Sequence, residues 1–168
     1  YFPDPDLPPL EVSDTWIAEV RATLPELPEA RKQRFIRDYG LPAADAAQIA
    51  DTAELARFFE DTASSAENPK AAANWVIGEV TRRLKVEGAG IETVGVTPAA
   101  LGELIRLIDA GVINGSVAKD VFERMYGSGR EAGDIVRAEG LSQIGDEGQL
   151  SDVVRRVIAE HQDAVARF

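Results

Sequence analysis

Two stretches of this chain carry side chains at spacings suited to recognising a ligand. Asn74, Gly78, Thr81 and Lys85 fall at i, i+4, i+7 and i+11, which sets them on one stripe of a helix. Arg82 and Arg83 extend its basic end. A glycine inside a helix costs about 1 kcal/mol relative to alanine, so Gly78 is expected to admit a close neighbour, either another helix or a nucleic-acid backbone. The second stretch is Arg31, Arg34 and Arg37, along one side of a helix whose other side holds Phe35, Ile36 and Tyr39. The plain reading of that stripe is a solvated face, partly neutralised by Glu29 and Asp38. The residues selected as the contact site are Asn74, Arg82, Arg83, Lys85 and Lys119, exposed polar and basic groups of two helices.

No catalytic constellation is spelled out. Ser116-Val-Ala-Lys119 matches the Ser-x-x-Lys spelling of some acyl-transfer enzymes, but the companion motifs are missing and Ser116 is expected to cap a helix. Gly127, Gly129 and Gly133 lack the preceding strand and the Lys-Ser/Thr of a phosphate loop. Ser64, Ser65 and Ser142 have no visible base. Asp146 and Glu147 read as an N-cap and a first-turn acid, both favoured by the helix dipole. His161 follows a last helical turn, where a cation suits the dipole. The candidate sets for catalysis, cofactor binding and metal binding in this chain are therefore empty.

Composition narrows the options further. The 168 residues contain no cysteine and one histidine. That excludes disulfides, thiolate zinc, iron–sulfur clusters, cysteine nucleophiles and any metal site needing two imidazoles. No apolar run approaches the roughly 20 residues of a membrane span, and no leader pattern is visible, so the expected location is cytoplasmic with no membrane partner. The net charge of −11 is the reverse of the basic excess usual in nucleic-acid binders. It is uneven: residues 1–68 hold 14 acids and 6 bases, residues 69–168 hold 15 and 12. An RNA surface would thus be a local patch in the second part. Beginning at Tyr1 rather than Met, the chain is expected to be a fragment.

The elements that must position these residues are short helices with explicit punctuation. Four prolines in the first ten residues forbid a helix there, and the apolar Tyr1, Phe2, Leu7 and Leu10 suggest a strap on a neighbouring surface. Ser13 is expected to cap a helix carrying Trp16, Ile17 and Val20. Pro28 opens a helix closed by Gly40. Pro42 opens another. Asp51 and Glu54 read as a capping box. Asn68-Pro69 caps a longer helix whose stripe Ala73, Val76, Ile77, Val80 and Leu84 predicts a buried face. The glycine-rich loop near 87–96 is the best linker. Thr97-Pro98 restarts a helix that stops at Gly111. Ser116 caps the next, ending at Gly127, and a short helix ends at Gly140. A last helix carries Leu150, Val153, Val154, Val157 and Ile158. The count is about nine helices and no convincing strand, an all-α fold.

Several segments also resemble a known family. Phe2-Pro-Asp-Pro-Asp-Leu-Pro-Pro9 is similar to the junction that ends the catalytic cradle of the B subunit of aspartyl/glutamyl-tRNA amidotransferases. Leu24-Pro-Glu-Leu-Pro28, Arg34-Phe and Tyr39-Gly-Leu resemble the start of that subunit's helical domain. Ala72-Ala-Asn-Trp75 with Gly78-Glu79 resembles its Ala-Asn-Trp-x-x-Gly-Glu helix, and Gly111-x-Ile-x-Gly115 with Ala118-Lys119-x-Val-Phe122 its next signature. Leu141-x-Gln-Ile144 with Asp146-Glu-Gly-x-Leu150 resembles the entry to a YqeY-like tail.

The resemblance implies a glutamine-hydrolysing, ATP-dependent ligase, a heterotrimer of unlike A, B and C subunits. It would convert Glu-tRNA(Gln) to Gln-tRNA(Gln), Asp-tRNA(Asn) to Asn-tRNA(Asn), or both. The A and C subunits, with tRNA(Gln) and tRNA(Asn), would be the partners. The implied divisions are a strap over 1–12, a helical domain over 13–140 and a truncated YqeY-like tail over 141–168. ATP and Mg²⁺ would belong to the absent cradle of the full-length protein, so no catalytic residue carries over. This part would support and orient tRNA, by shape and backbone as structured RNA is usually read. The alternative is a helical module that braces the catalytic subunits without touching RNA. A self-contained hydrolase or transferase lacks the residues it would need.

Overall fold

The computed structural model describes residues 11–142, and every regular element within them is helical. The order is α1 (Asp14–Thr23), α2 (Pro28–Tyr39), α3 (Ala43–Ile49), α4 (Ala53–Ala66), α5 (Pro69–Trp75), a π turn (Val76–Val80), α6 (Thr81–Glu87), a 3₁₀ turn (Ile91–Thr93), α7 (Pro98–Asp109), α8 (Gly115–Ser128) and α9 (Ala132–Glu139). Helix α5, the π turn and α6 are continuous, so the described residues form eight helical rods. The all-α expectation holds for them. The strap over residues 1–10, the capping pattern at Asp146, the helix from Leu150 and His161 lie outside the described residues.

Most helix ends follow local chemistry. Ser13 Oγ accepts from the Trp16 amide at 3.1 Å, Asn68 Oδ1 from Ala71 at 3.1 Å and Thr97 Oγ1 from Ala100 at 3.2 Å. These bonds satisfy amides that no helical turn can reach. Gly40 and Gly140 close α2 and α9 in the left-handed region, where glycine meets no Cβ penalty.

Three boundaries are corrected by a few residues. The cap of α4 is Thr52, not Asp51: Thr52 has the extended backbone of a cap and its hydroxyl accepts from Leu55 at 3.2 Å. The cap of α8 is Asn114, not Ser116, accepting from Val117 at 2.9 Å. Helix α8 also runs through Gly127 to Ser128, because the left-handed position is Gly129.

One hydrophobic core runs from Phe35 to Val136 and includes residues on both sides of the 88–97 loop. Ala89, Ile91 and Val94 of that loop pack on it, and Val96 is buried. At one end Phe35, Tyr39 and Phe59 form an edge-to-face triangle with centroids 5.1, 5.3 and 5.7 Å apart, a favoured aromatic geometry. At the middle α4 lies along α7. A Cβ on Gly102 would stand 2.5 Å from Ser65 Cβ and 3.0 Å from the Ala66 amide nitrogen. The missing side chain is what lets the two helices meet. Arg106 then bonds the Ser65 carbonyl and hydroxyl, and the hydroxyl donates to Ala99 O at 3.3 Å.

The arginine stripe of α2 is solvated only at Arg37; Arg31 and Arg34 are drawn into the fold. Arg31 is 7% exposed and donates to Ala50 O at 3.1 Å and Glu26 O at 2.9 Å. It thereby serves a carbonyl at the end of α3 that the helix leaves unpaired. Arg34 bridges Glu26, at 2.7 Å, and Glu60. The Arg34 hydrogen bond holds Glu26 below its ordinary pKa. Glu29 pairs with Lys32 and Gln33 instead, while Arg37 does pair with Asp38 at 2.6 Å.

The α4–α7 crossing yields a test. Gly102→Ala puts a methyl into backbone and Cβ atoms that cannot rotate away. Overpacking of this kind costs about 1–3 kcal/mol. Urea unfolding of the variant is expected to show a lower midpoint at unchanged slope; an unchanged midpoint contradicts the crossing.

Candidate functional site

The rod α5–π–α6 carries four of the five selected residues. Its apolar face, Ala73, Val76, Val80 and Leu84, is buried, with Ile77 half-buried. The sequence pattern did not reveal the π turn. The Thr81 amide reaches back to Val76 O, and the Thr81 hydroxyl donates to the same carbonyl at 2.8 Å. Such turns often mark functional positions. Here the turn holds Gly78 and Glu79.

Gly78 is exposed, and a Cβ built there meets nothing within 4 Å. The neighbour expected from its presence is not among the described residues. Instead Gly78 lies in an open cleft of about 400 Å³, lined also by Asn74, Trp75, Glu79, Ile108, Gly115 and Lys119. Gly115 likewise has open space where a side chain would start. Asn74 and Lys119, chosen from different helices, therefore face one cleft.

The basic residues beside it are held by carboxylates. Glu79, with its side chain 15% exposed, uses both oxygens: Arg82 Nη2 lies 2.7 Å from one and Lys119 Nζ 3.0 Å from the other. Arg82 also reaches Glu123 at 3.0 Å. Arg83 lies 3.1 Å from Glu123 and 3.0 Å from Glu87, with its guanidinium 4.8 Å from the centre of the Tyr126 ring. Tyr126 donates to Glu87 at 2.5 Å, which raises its phenol pKa. Three cations meet three carboxylates, so the network is near neutral. It ties the rod to α8.

Lys85 stands apart. It has no ion pair among the described residues and lines a different groove, of about 410 Å³, with Gln48, Asp51, Leu55, Ile77 and Thr81. The structure thus joins Asn74, Arg82, Arg83 and Lys119 through one cleft and one network, and leaves Lys85 on the side facing α3. Glu79, Glu87, Glu123 and Tyr126 were not selected from the sequence. Glu79 precedes Arg82 by three residues and Glu87 follows Arg83 by four, spacings at which helical side chains meet. Glu123 is 41 residues from Arg82, beyond any local signal. Among the described residues no three His, Cys, Asp or Glu side chains gather to hold a metal ion.

Residues 57–168 match the family model described as GatB domain. Over all 168 residues the chain is 47% identical to the B subunit of the aspartyl/glutamyl-tRNA(Asn/Gln) amidotransferase of Thermoanaerobacter sp. (strain X514), and covers 35% of that protein. The protein of the same name from Carboxydothermus hydrogenoformans is also 47% identical, and that from Halalkalibacterium halodurans 42%, with the same coverage. The chain spans about one third of the length of these relatives, matching their C-terminal part.

The Glu79 node carries a pH signature. The Arg82 hydrogen bond, followed by Lys119, holds its carboxyl below the ordinary glutamate pKa against the opposing effect of burial. A depressed folded-state pKa stabilises above the unfolded value, about 4.3, and that stability is lost as pH falls through the folded one. Glu79→Gln is expected to be less stable than the parent at pH 7, with the gap closing as pH drops below about 4. Urea unfolding across pH checks this, and a gap independent of pH contradicts it.

Proposed function

We infer the role of this chain from its family, because it belongs to the GatB domain family. It is the non-catalytic helical part of the B subunit of a glutamine-dependent, ATP-using tRNA amidotransferase, a carbon–nitrogen ligase of translation. Its substrates are Glu-tRNA(Gln), Asp-tRNA(Asn) or both. The A and C subunits are the partners, and the cytoplasm is where this reaction belongs. ATP and Mg²⁺ fall, on the family reading, to the part of the full-length protein outside this chain. No described helix is long and apolar enough to cross a membrane.

Within that enzyme the chain supports and orients tRNA. One observation carries this reading: Gly78 gives up helix stability in an exposed cleft where nothing in the described chain uses the space. The Asn74 amide and the Lys119 ammonium flank that space. An amide and an ammonium beside bare backbone suit a ribose-phosphate backbone. Lys119 and Arg82 are more than half exposed, whereas their shared partner Glu79 is nearly covered. The cations can therefore turn outward to a phosphate without moving the helices.

A second reading has an observation in its favour. Arg82, Arg83 and Lys119 are already paired, which suits a brace that never meets RNA. The intact complex distinguishes the two. Gly78→Leu fills the cleft without touching the core, and Asn74→Ala with Lys119→Gln removes the two polar groups that flank it. Under the tRNA reading each variant weakens tRNA affinity by roughly tenfold. The double variant also lowers the slope of log affinity against log salt by about 1. Glutamine hydrolysis stays unchanged. Unaltered tRNA affinity and salt slope in both variants would leave only the brace.

A further inference from the structure

Helix α1 buries none of its side chains, and every residue from Glu11 to Ala30 is exposed. Its apolar groups nevertheless share a face. Val12, Trp16, Ile17 and Val20, with the stem of Arg21, line a wholly apolar groove of about 320 Å³. They are 48%, 49%, 38% and 46% exposed, and Leu24 and Leu27 continue the patch. At ten residues this helix is shorter than the roughly 12–15 at which isolated helices become marginal. Its two threonines, Ile17 and Val20 are β-branched and lower its propensity further. A helix of this make-up is stabilised by packing its apolar face, and an apolar patch with a charged rim marks an interface.

We propose that α1 docks on the portion of its own full-length polypeptide that lies N-terminal to this chain. The inference rests on the reading of the chain as part of a longer protein. The relatives carry about two thirds of their length outside the matched region, which is their C-terminal part. The missing protein is therefore mostly upstream, and α1 is the first described helix. Twelve residues lie between Tyr1 and its first residue, Asp14. The thirteen steps span at most about 45 Å, so upstream structure is held close at high effective concentration. A second copy of this chain is a poorer occupant. Asp14 and Glu19 each lie three residues from an apolar position of the face, on a chain of net charge −11, and self-association would set like charges together.

The test uses the full-length protein in its complex, with the photoreactive residue p-benzoylphenylalanine at position 20 (Val20→p-benzoylphenylalanine). Irradiation is expected to give a cross-link within the same polypeptide, to a residue upstream of Tyr1 in the full-length chain. A cross-link to a second copy, a different protein of the complex, tRNA or residues 143–168 overturns the proposal, as does no cross-link. In the same full-length protein Val20→Asp is expected to speed proteolytic cleavage between residues 11 and 30 at least tenfold, and unchanged cleavage also overturns it. A native polypeptide of only about 18.1 kDa would sink the longer-protein reading and this inference together. A full-length protein with the cross-link elsewhere would sink the inference alone.

Discussion

The absent side chain of Gly102 sets how close α7 can come to α4, and much of the molecule follows from that distance. Ser65 sits where a Cβ would begin. Arg106, one turn further along α7, ties itself to Ser65 through both carbonyl and hydroxyl. With α4 and α7 in contact, Phe59 on one and Leu101, Leu104 and Ile105 on the other are fully buried. The rod from Pro69 then lays its apolar face on this pair, and α8 and α9 close the far side with Phe122, Met125 and Ile135. The outer face of the rod is left facing solvent. The cleft exists because the core has already taken the other face.

That outer face is governed by one nearly covered carboxylate. Glu79 holds Arg82 and Lys119 from opposite oxygens, and so links the π turn to α8 as well as setting the local charge. An exposed ion pair contributes little to stability, typically below about 1 kcal/mol. A network around a desolvated group is more consequential, because removing one partner strands the others. On the proposed tRNA reading, the same arrangement would let a chain of net charge −11 meet a polyanion. Its cations are stored on carboxylates at the surface, available for exchange and without a large positive field. Such a surface would supply placement, with most of the affinity coming from elsewhere in the enzyme.

Local chemistry was legible in the sequence, and long-range chemistry was not. Ser13, Asn68-Pro69, Thr97-Pro98, Gly40 and Gly140 mark their helix ends because each acts within four residues. Thr52 and Asn114 were missed beside Asp51 and Ser116, since neighbouring residues of capping type compete and only backbone geometry chooses. The glycines were only partly legible. Gly78 was expected to admit a helix or a nucleic-acid backbone, and no described helix comes there, while Gly102, not singled out, makes a close approach to a serine 37 residues away in the chain. Arg31 and Arg34 looked solvated on helical periodicity. Of their partners, Ala50 and Glu60 become neighbours only once α2, α3 and α4 fold together, while Glu26 comes from the segment just before α2. For the site, Asn74 and Lys119 were chosen separately, and the fold places them on one cleft. The π turn was hidden because one extra residue in a turn barely shifts the apolar stripe.

The most direct check is ultraviolet cross-linking of the intact amidotransferase to tRNA carrying 4-thiouridine, with the attached peptides mapped by mass spectrometry. The account predicts cross-links to the peptides that hold residues 74–85 and 115–119, around the Gly78 cleft. Cross-links confined to other parts of the enzyme, with these peptides unmodified at saturating tRNA, would contradict it and leave the helices as a brace.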